Sequence, residues 1–417
     1  MTALADAEVI ALARARQPAL IEATQTLVRI DSQTPPSDTR AVAEAAAALL
    51  AGAPDVSVAL HESAPPVVNL VARLEGGRPG PRLVLSGHLD TYPIGEGAWT
   101  SPPLGGEVRD GRLYGRGSAD MKGACVALIE TLRIFAERAR PFAGEIVLAL
   151  AGDEERMGEL GTQWLIDHIP EVRGDGVIVA DVGGPHTVRL GEKGMLWLDL
   201  RSEGRQAHGA HVHAGRNAAD RLIDALADLR ALAGLTPSPH PEAMAAIALA
   251  AGEPDADAPE AREVMRRVTV NLGRIEGGAS ANLVPAEAHA GLDIRLPLGV
   301  SVADAQAQAM RILSRHPDVT AEVTRRYEPS WTPETTPIAR ACLEAANAVL
   351  DRPAFFDMRI GGSDARLWRR AGYDAVVQGL TPNNLGAADE HLYVDELWRL
   401  LSIQGLAAKR FLSADAS

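Results

Sequence analysis

Short apolar runs alternate with segments of helical periodicity in the first half of the chain. The runs at residues 83–85, 146–150 and 177–180 predict buried strands. Between the first two runs, apolar side chains recur every three or four positions, which predicts a helix with one buried face. These side chains are Cys125, Leu128, Ile129, Leu132 and Phe135. A further helix is predicted over residues 162–169, and this alternation indicates an α/β domain.

The pattern changes at about residue 194. The elements predicted there are a strand, a helix, two strands, a helix and a strand, over residues 195–200, 218–232, 268–275, 286–295, 302–315 and 319–327. This order is typical of the split βαβ pattern of a small α+β sandwich. Residues 236–260 are rich in proline and alanine and predict a long loop.

A helix–loop–strand pattern resumes after Pro333, and the last predicted element is a helix at residues 396–411. We therefore predict a mixed-sheet α/β catalytic domain formed by residues 1–189 and 329–417. A smaller α+β sandwich domain, residues 190–328, is inserted into it. Residues 1–30 are predicted to form an amphipathic helix, because charged side chains interrupt their apolar ones.

Composition narrows the possible functions. The 417 residues exceed what one compact core usually holds. A net charge of −14 argues against nucleic-acid binding, which needs a surplus of basic residues. The two cysteines are too few for a disulfide framework or a thiolate zinc cluster. No run approaches the roughly 18 apolar residues of a membrane span, so we expect a soluble, cytoplasmic protein without a membrane or nucleic-acid partner.

Candidate chemistry lies at the ends of the three apolar runs. His88 and Asp90 follow the first run, Glu154 and Glu155 the second, and Asp181 the third. In an open α/β sheet, ligands bind beyond the carboxyl ends of the strands. Each residue alone fits a structural histidine or a solvated acidic turn, but their occurrence at successive strand ends favours a site. Imidazole and carboxylate without thiolate suit zinc, manganese or cobalt, and Asp90 is placed to accept a hydrogen bond from the ring of His88.

A glycine-rich segment, residues 115–123 (GRGSADMKG), lies between the first two runs. It does not complete a dinucleotide-binding motif, because Asp120 stands where the third glycine would be and would repel a pyrophosphate. An acidic residue that opens a helix beside a metal site is better explained as a ligand.

Together these motifs resemble the cocatalytic zinc amidohydrolases and exopeptidases, the family of aminoacylases, glutamate carboxypeptidase and succinyl-diaminopimelate desuccinylase. The resemblance extends from about residue 20 to residue 411. The segments that carry it are 86–93 (SGHLDTYP), 115–123, 153–155 (DEE), 277–278 (GG), 282–285 (NLVP), 293–295 (DIR), 361–366 (GGSDAR) and His391.

The resemblance implies two divalent metal ions bridged by Asp120. The ligands it implies are His88 and Asp181 for one ion, and Glu155 and His391 for the other. Glu154 would be the general base, which must not itself be consumed as a ligand. Relatives often carry Glu followed by Pro at the position of Asp181. Because aspartate is shorter than glutamate, the number of metal ions bound per subunit, one or two, stays open.

The resemblance also implies a substrate that carries a free carboxylate. The residues expected to bind the substrate are Asn282, Arg295, Gly361, Gly362 and Ser363. Arginine offers a bidentate fork, and two glycines before a helix at residues 365–370 make an anion-binding turn. Asn282 is assigned by resemblance only.

A histidine-dense segment, residues 206–213, lies in the inserted domain. By composition it could form a separate metal site with His211 and His213. The resemblance points to His208 alone, as a donor to the carbonyl oxyanion in a neighbouring subunit's site. A small sheet leaves an edge strand that proteins commonly cover by pairing, so we predict at least a homodimer, with the inserted domain as lid or dimerisation domain.

The function predicted is metal-dependent hydrolysis of an amide C–N bond in a small carboxylate, such as an N-acyl amino acid or a short peptide. One alternative is an aminohydrolase that removes an amino group from an activated aromatic acid, for example a nitro-substituted aminobenzoate. Another is a non-catalytic binding protein that kept the fold. Glu154 weighs against the latter, because such a protein has no need of a base that binds no metal.

Overall fold

The computed structural model describes residues 4–238, 240–249 and 259–413. Its α-helices are α1 (Asp6–Ala15), α2 (Gln17–Val28), α3 (Arg40–Leu49), α4 (Gly123–Ile134), α5 (Thr162–His168), α6 (Ala218–Leu229), α7 (Pro241–Leu249), α8 (Pro259–Met265), α9 (Val302–Leu313), α10 (Pro337–Val349), α11 (Ala365–Arg370) and α12 (Val394–Ser413). Its strands are β1 (Val56–Ala64), β2 (Val67–Glu75), β3 (Gly77–His88), β4 (Glu107–Arg109), β5 (Arg112–Tyr114), β6 (Phe142–Ala151), β7 (Gly176–Val179), β8 (Thr187–Glu192), β9 (Gly194–Glu203), β10 (Ala207–His208), β11 (Thr269–Gly277), β12 (Leu283–Val284), β13 (Glu287–Leu296), β14 (Val319–Tyr327), β15 (Ser330–Trp331), β16 (Phe355–Arg359), β17 (Ala375–Val377) and β18 (His391–Tyr393).

A nine-stranded mixed sheet forms the larger unit. Its strand order is β1-β2-β6-β3-β7-β17-β8-β15, and β16 also pairs with β8. The four central strands β6, β3, β7 and β17 run parallel to one another, whereas the β1–β2, β2–β6, β17–β8 and β8–β15 pairs are antiparallel. The predicted fold class, a mixed-sheet α/β domain, is confirmed.

Helices cover both faces of this sheet. Leu83 and Leu85 of β3 pack into the core shared with α2, α4 and α12, while Val84 between them packs on the opposite side with Leu165 and Trp368. Successive side chains of a strand point to opposite faces. A strand with both faces covered must therefore be apolar at every position, which explains the uninterrupted apolar runs.

A four-stranded antiparallel sheet forms the smaller unit, with the order β11-β13-β9-β14. Helices α6 and α9 contribute Leu222 and Ala305 to its core, against Leu198 and Ile294 of the sheet. The chain order β-α-β-β-α-β is the one that the sequence pattern predicts, so the α+β sandwich of the predicted fold class is confirmed. The boundaries at residues 190 and 328 stay a prediction.

Two local predictions are wrong. Residues 236–260 are not one long loop, because α7 and the start of α8 lie there; Ala243 and Ile247 are buried against Met358, and proline is tolerated in the first turn of a helix. Residues 250–258 lie outside the described part. The N-terminal segment forms two helices, α1 and α2, because Pro18 cannot donate the backbone hydrogen bond that a continuous helix needs there.

Within the ranges described above, every helix is too short or too polar to cross a bilayer.

Candidate metal centre

The parallel strands β3, β6 and β7 deliver polar residues to one edge of the large sheet. His88 is the last residue of β3, and Asp181 follows β7 by two residues. Glu154 and Glu155 begin a short helical turn, Glu154–Arg156, after β6. Since these strands are parallel neighbours, their carboxyl ends lie side by side.

Three of the predicted ligands form a compact group. One ligand atom from each of His88, Asp120 and Asp181 lies within 4.8 Å of the other two. The Nε2 atom of His88 is 3.0 Å from a carboxylate oxygen of Asp120. Asp120 lies in the turn Ser118–Lys122, which precedes α4 and follows the left-handed Gly117. The structure therefore places Asp120, which comes between β3 and β6 in the chain, next to the residues at the strand ends.

The other two predicted ligands lie outside that group. Glu155 and Asp120 line the same cavity, of about 450 Å³, together with Tyr92 and Glu390. His391 lies in β18, and its Nδ1 atom is 2.9 Å from the backbone oxygen of Asp389. That hydrogen bond leaves the Nε2 atom of His391 available as a ligand.

Asp90 is fully buried and organises the turn that carries the two glutamates. Its two carboxylate oxygens each accept a backbone N–H, from Glu154 and from Glu155, at 3.0 Å. Thr34 donates to the same carboxylate at 2.9 Å. The Nδ1 atom of His88 lies nearest the backbone oxygen of Asp90, at 2.9 Å, with the carboxylate at 3.5 Å. The expected support of the His88 ring is thus supplied mainly by the backbone, and the carboxylate holds the Glu154–Glu155 turn instead.

Burial and mutual repulsion disfavour the charged forms of Glu154 and Glu155. Burial, with a contribution from Asp364, raises the pKa of Glu154 well above its usual value. Burial and Asp120 raise the pKa of Glu155 to about 8. Burial opposes the charged imidazolium of His88, but hydrogen bonds to Asp120 and Asp90 outweigh it and raise the pKa of His88 well above its usual value. A bound divalent cation would reverse this balance at its ligands.

The donor set fits a divalent transition metal. Imidazole nitrogen and carboxylate oxygens are ligands that zinc, manganese and cobalt accept. Cys125 is nearby, but its thiol donates to the backbone oxygen of His88 at 3.1 Å, and burial raises its pKa to about 12. Cys125 therefore does not provide a thiolate ligand.

A buried ion pair that no sequence motif indicated supports Asp120. Glu390 pairs with Arg116, and both side chains are almost completely buried. The other carboxylate oxygen of Glu390 accepts the backbone N–H groups of Ala119 and Asp120, at 3.1 and 3.2 Å. Because Glu390 directly precedes His391, one side chain ties together two predicted metal-ligand segments. In the sequence, the position of Glu390 directly before His391 is the one indication of this supporting role.

Replacing Glu390 is expected to weaken metal binding. Glu390→Gln keeps an acceptor for the two backbone N–H groups but leaves Arg116 buried without a counter-charge. We expect metal affinity to fall about 10–100-fold and the free energy of unfolding to fall by about 3–5 kcal/mol. Calorimetric metal titration and denaturant unfolding measure the two effects. The exposed Glu322 provides the matched control, Glu322→Gln. Wild-type metal affinity in Glu390→Gln would contradict this role.

Arg359 is a second residue that sequence reasoning did not find. It lies at the end of β16, and its guanidinium pairs with the carboxylate of Asp181 at 2.9 Å. A predicted metal ligand is thus paired with a partly buried cation from a distant part of the chain.

The predicted substrate residues lie outside the group of three ligands. Two nitrogens of Arg295, Nε and Nη2, bind the carboxylate of Asp293 at 2.7 and 3.0 Å. Ser363 is buried and donates its hydroxyl to Glu192 at 2.8 Å. To donate a hydrogen bond to the substrate, the Ser363 hydroxyl would have to break its hydrogen bond to Glu192.

Packing explains why position 362 is a glycine. A Cβ atom at Gly362 would lie 2.6 Å from the hydroxyl of Tyr327, so Gly362 leaves room for that tyrosine. Gly361 is partly exposed beside it, and a Cβ there would meet only the Arg359 side chain, at 3.6 Å.

His208 and Asn282 lie together at one corner of the smaller unit. Strands β10 and β12 pair His208 with Leu283, and Gly209 donates its N–H to the backbone oxygen of Asn282 at 2.6 Å. His208 is exposed, and its Nδ1 atom accepts the N–H of Ala210. The ring centroids of His208, His211 and His213 are 6.0 and 5.9 Å apart in succession. In the described part of the chain, these rings do not form a three-ligand group like that of His88.

The family model described as peptidase family M20/M25/M40 matches residues 84–409. The chain is 31% identical to a succinyl-diaminopimelate desuccinylase of Gluconacetobacter diazotrophicus, over 96% of this chain and 99% of that protein.

Solved structures share the fold. The M20 family metallo-carboxypeptidase Sso-CP2 of Sulfolobus solfataricus superposes with a TM-score of 0.77 at 18% identity, over 95% of this chain and 99% of that one. The YXEP protein of Bacillus subtilis, a dinuclear metal binding peptidase from the M20 family, gives a TM-score of 0.66 at 13% identity, over 95% and 98%.

Proposed function

The chain belongs to the peptidase family M20/M25/M40 and is a metal-dependent hydrolase of C–N bonds, and from this premise we propose its substrate class and site roles. The substrate is an N-acyl amino acid or a short peptide with a free carboxylate. His88, Asp120, Glu155, Asp181 and His391 hold one or two ions of zinc, manganese or cobalt. The observation that carries the proposal is the convergence of His88, Asp120 and Asp181 beside the partly buried Glu154.

The side chains around the site have separate roles in this proposal. When bound, the metal supplies Lewis acidity, which polarises the scissile carbonyl and acidifies a water. Glu154 takes the proton from the attacking water and delivers it to the leaving nitrogen. Asp90 orients Glu154 by holding its backbone N–H. Asn282, Arg295 and the segment 361–363 bind the substrate, with Arg295 directed at the carboxylate.

The reaction can be tested with a small panel. Metal-depleted protein is given zinc, manganese or cobalt and incubated with N-succinyl and N-acetyl amino acids, dipeptides and amino-substituted aromatic acids. We expect release of a free amino acid that stops with chelator and returns with metal. Ammonia release from an aromatic acid alone would favour the aminohydrolase instead. Binding of these compounds without any hydrolysis would favour a binding protein.

A homodimer completes the site in this proposal. Strand β11 lies at one edge of the four-stranded sheet, and its Leu272 and Ile275 side chains are 39% and 51% exposed. An exposed edge strand with apolar side chains is a surface on which a second copy can pair. The exposed His208 then serves the partner's site, where it donates to the carbonyl oxygen of the scissile amide.

Mixing two inactive variants tests this arrangement. Glu154→Gln and His208→Ala are combined under conditions that exchange subunits. Each mixed dimer has one site with an intact Glu154 and an intact His208 from the partner. Since random exchange makes about half of the dimers mixed, about a quarter of wild-type activity should return.

His213→Ala is the matched control for the mixing experiment. His213 is exposed in the same segment, so this variant should be active alone. If labelled subunits exchange and activity stays at the level of the separate variants, His208 does not act across the dimer.

A further inference from the structure

Two large apolar residues border the cavity that contains Asp120 and Glu155. Tyr92 and Leu385 line this cavity of about 450 Å³, and they are 53% and 38% exposed. A Cβ atom at Gly386 would lie 3.6 Å from the Cδ1 atom of Tyr92, so the tyrosine ring lies beside the residue that follows Leu385. Tyr92, Leu385 and Gly386 together form an apolar rim. Apolar and aromatic residues beside a few polar groups are typical of small-molecule sites.

Both sides of the apolar rim are held in place by backbone hydrogen bonds. Directly before the tyrosine, Thr91 donates its N–H to the backbone oxygen of Ser32 at 3.0 Å. Directly after the glycine, the backbone oxygen of Ala387 accepts a hydrogen bond from Arg116 at 3.1 Å. A surface that is ordered before its ligand arrives costs less free energy to occupy. The rim is therefore a preformed binding surface.

The charged residues that line this cavity are all acidic. They are Asp120, Glu155 and Glu390, of which the first two are predicted metal ligands and the third is paired with the buried Arg116. Of the described residues that line the cavity, none is basic. A carboxylate on the acyl group of a substrate would find no arginine or lysine there, and a buried charge without a partner is costly. An apolar acyl group would instead gain by leaving water.

The residues proposed to bind the substrate carboxylate lie in another direction from Asp120. Ligand atoms of Asp120 and Asp181 lie within 4.8 Å of each other, and Asp181 pairs with Arg359, two residues before the segment 361–363. The described lining of the cavity includes neither Asp181 nor this segment. A substrate whose amino-acid part reaches residues 361–363 and whose scissile amide lies at Asp120 therefore directs its acyl group into the cavity.

We propose that the apolar rim binds the acyl group of the substrate and makes the protein selective for apolar or aromatic acyl groups over a succinyl group. This inference rests on the proposed function. The acyl group lies against the ring of Tyr92 and the side chain of Leu385. Tyr92 contributes the larger share of this contact, since an aromatic ring offers more apolar area than a leucine side chain. A succinyl carboxylate gains nothing from either residue.

Three N-acyl derivatives of alanine test the selectivity, the N-phenylacetyl, N-succinyl and N-acetyl compounds, each with metal supplied. For wild type we expect kcat/KM to be at least about tenfold higher for the N-phenylacetyl than for the N-acetyl compound. The N-succinyl compound should be no better than the N-acetyl compound. Tyr92→Ala should lower kcat/KM about tenfold for the N-phenylacetyl compound, through KM, and by less than about twofold for the N-acetyl compound. Leu60→Ala is the control, because Leu60 in β1 is as exposed as Leu385, and it should match wild type.

Leu385→Arg is the complementary change, because it places a cation on the apolar rim. It should raise kcat/KM for the N-succinyl compound about tenfold relative to the N-acetyl compound, since a carboxylate then finds a charged donor. Leu60→Arg adds the same charge in β1 and should leave this ratio unchanged. An unchanged ratio in Leu385→Arg would contradict contact between the acyl group and the rim.

The remaining outcomes separate this inference from the proposed function. A wild-type preference for the N-succinyl over the N-phenylacetyl compound, or an equal loss for the N-phenylacetyl and N-acetyl compounds in Tyr92→Ala, overturns the selectivity. If the wild type hydrolyses none of the three, the proposed reaction fails, and calorimetric binding of the same compounds decides the role of the rim. The N-phenylacetyl compound should then bind about tenfold more weakly to Tyr92→Ala than to wild type, and equal binding overturns the inference.

Discussion

Glu154→Gln is expected to lower kcat by about 10²–10⁴-fold, because a positioned acid–base group contributes about that much to turnover. Glutamine keeps the shape of the side chain but cannot take a proton from water or return one to the leaving nitrogen. The backbone of residue 154 should stay in place, since its N–H is held by Asp90. Metal content and thermal unfolding should therefore match wild type while kcat collapses.

The control for this experiment is Glu159→Gln. Glu159 is an exposed acid in the same loop, and its replacement should leave kcat within a factor of about two. Full pH–rate profiles of both variants should be recorded. Near-normal turnover by Glu154→Gln at every pH would remove Glu154 from the role of base.

Asp120→Ala is expected to lose most bound metal, by at least about 100-fold in affinity, and with it all measurable turnover. Asp120 contacts His88 on one side and lines the cavity with Glu155 on the other. Its removal therefore affects both predicted metal positions. His88→Ala, Glu155→Ala and His391→Ala each affect one position and should cost less metal.

Metal analysis after gel filtration, with cobalt titration followed by absorbance, measures these losses. Asp224→Ala removes an exposed carboxylate from α6 and should bind metal like wild type. Full occupancy of Asp120→Ala at both positions would refute the shared ligand. A loss no greater than that of His391→Ala would reduce Asp120 to a ligand of one ion.

Local patterns predicted the elements that carry the site. Helix α11 occupies residues 365–370, as predicted, and β14 occupies residues 319–327. Periodicity succeeds for such elements because each has one preferred burial pattern along the chain. Composition was misleading at residues 241–249, where the proline and alanine content predicted a loop. The burial of Ala243 and Ile247 against Met358 outweighs that local composition.

The chain sequence by itself determined that His88, Glu154, Glu155 and Asp181 would meet at one edge. Each follows an apolar run, and a run apolar at every position needs a sheet covered on both faces. Such central strands are usually parallel, so their carboxyl ends coincide. The glycine-rich segment added Asp120, and the family motifs added its bridging role and His391, which no strand pattern indicates.

Only the tertiary structure decided which side chains support those residues. Glu390 binds Arg116 and the backbone of Asp120, Arg359 pairs with Asp181, and Ser363 donates to Glu192. These partners come from strands and loops far apart in the chain, and periodicity reports only which face of an element is buried. A buried charge or hydroxyl must find a partner wherever packing places one. That choice depends on distances between elements, which become defined only when both sheets and their helices are assembled.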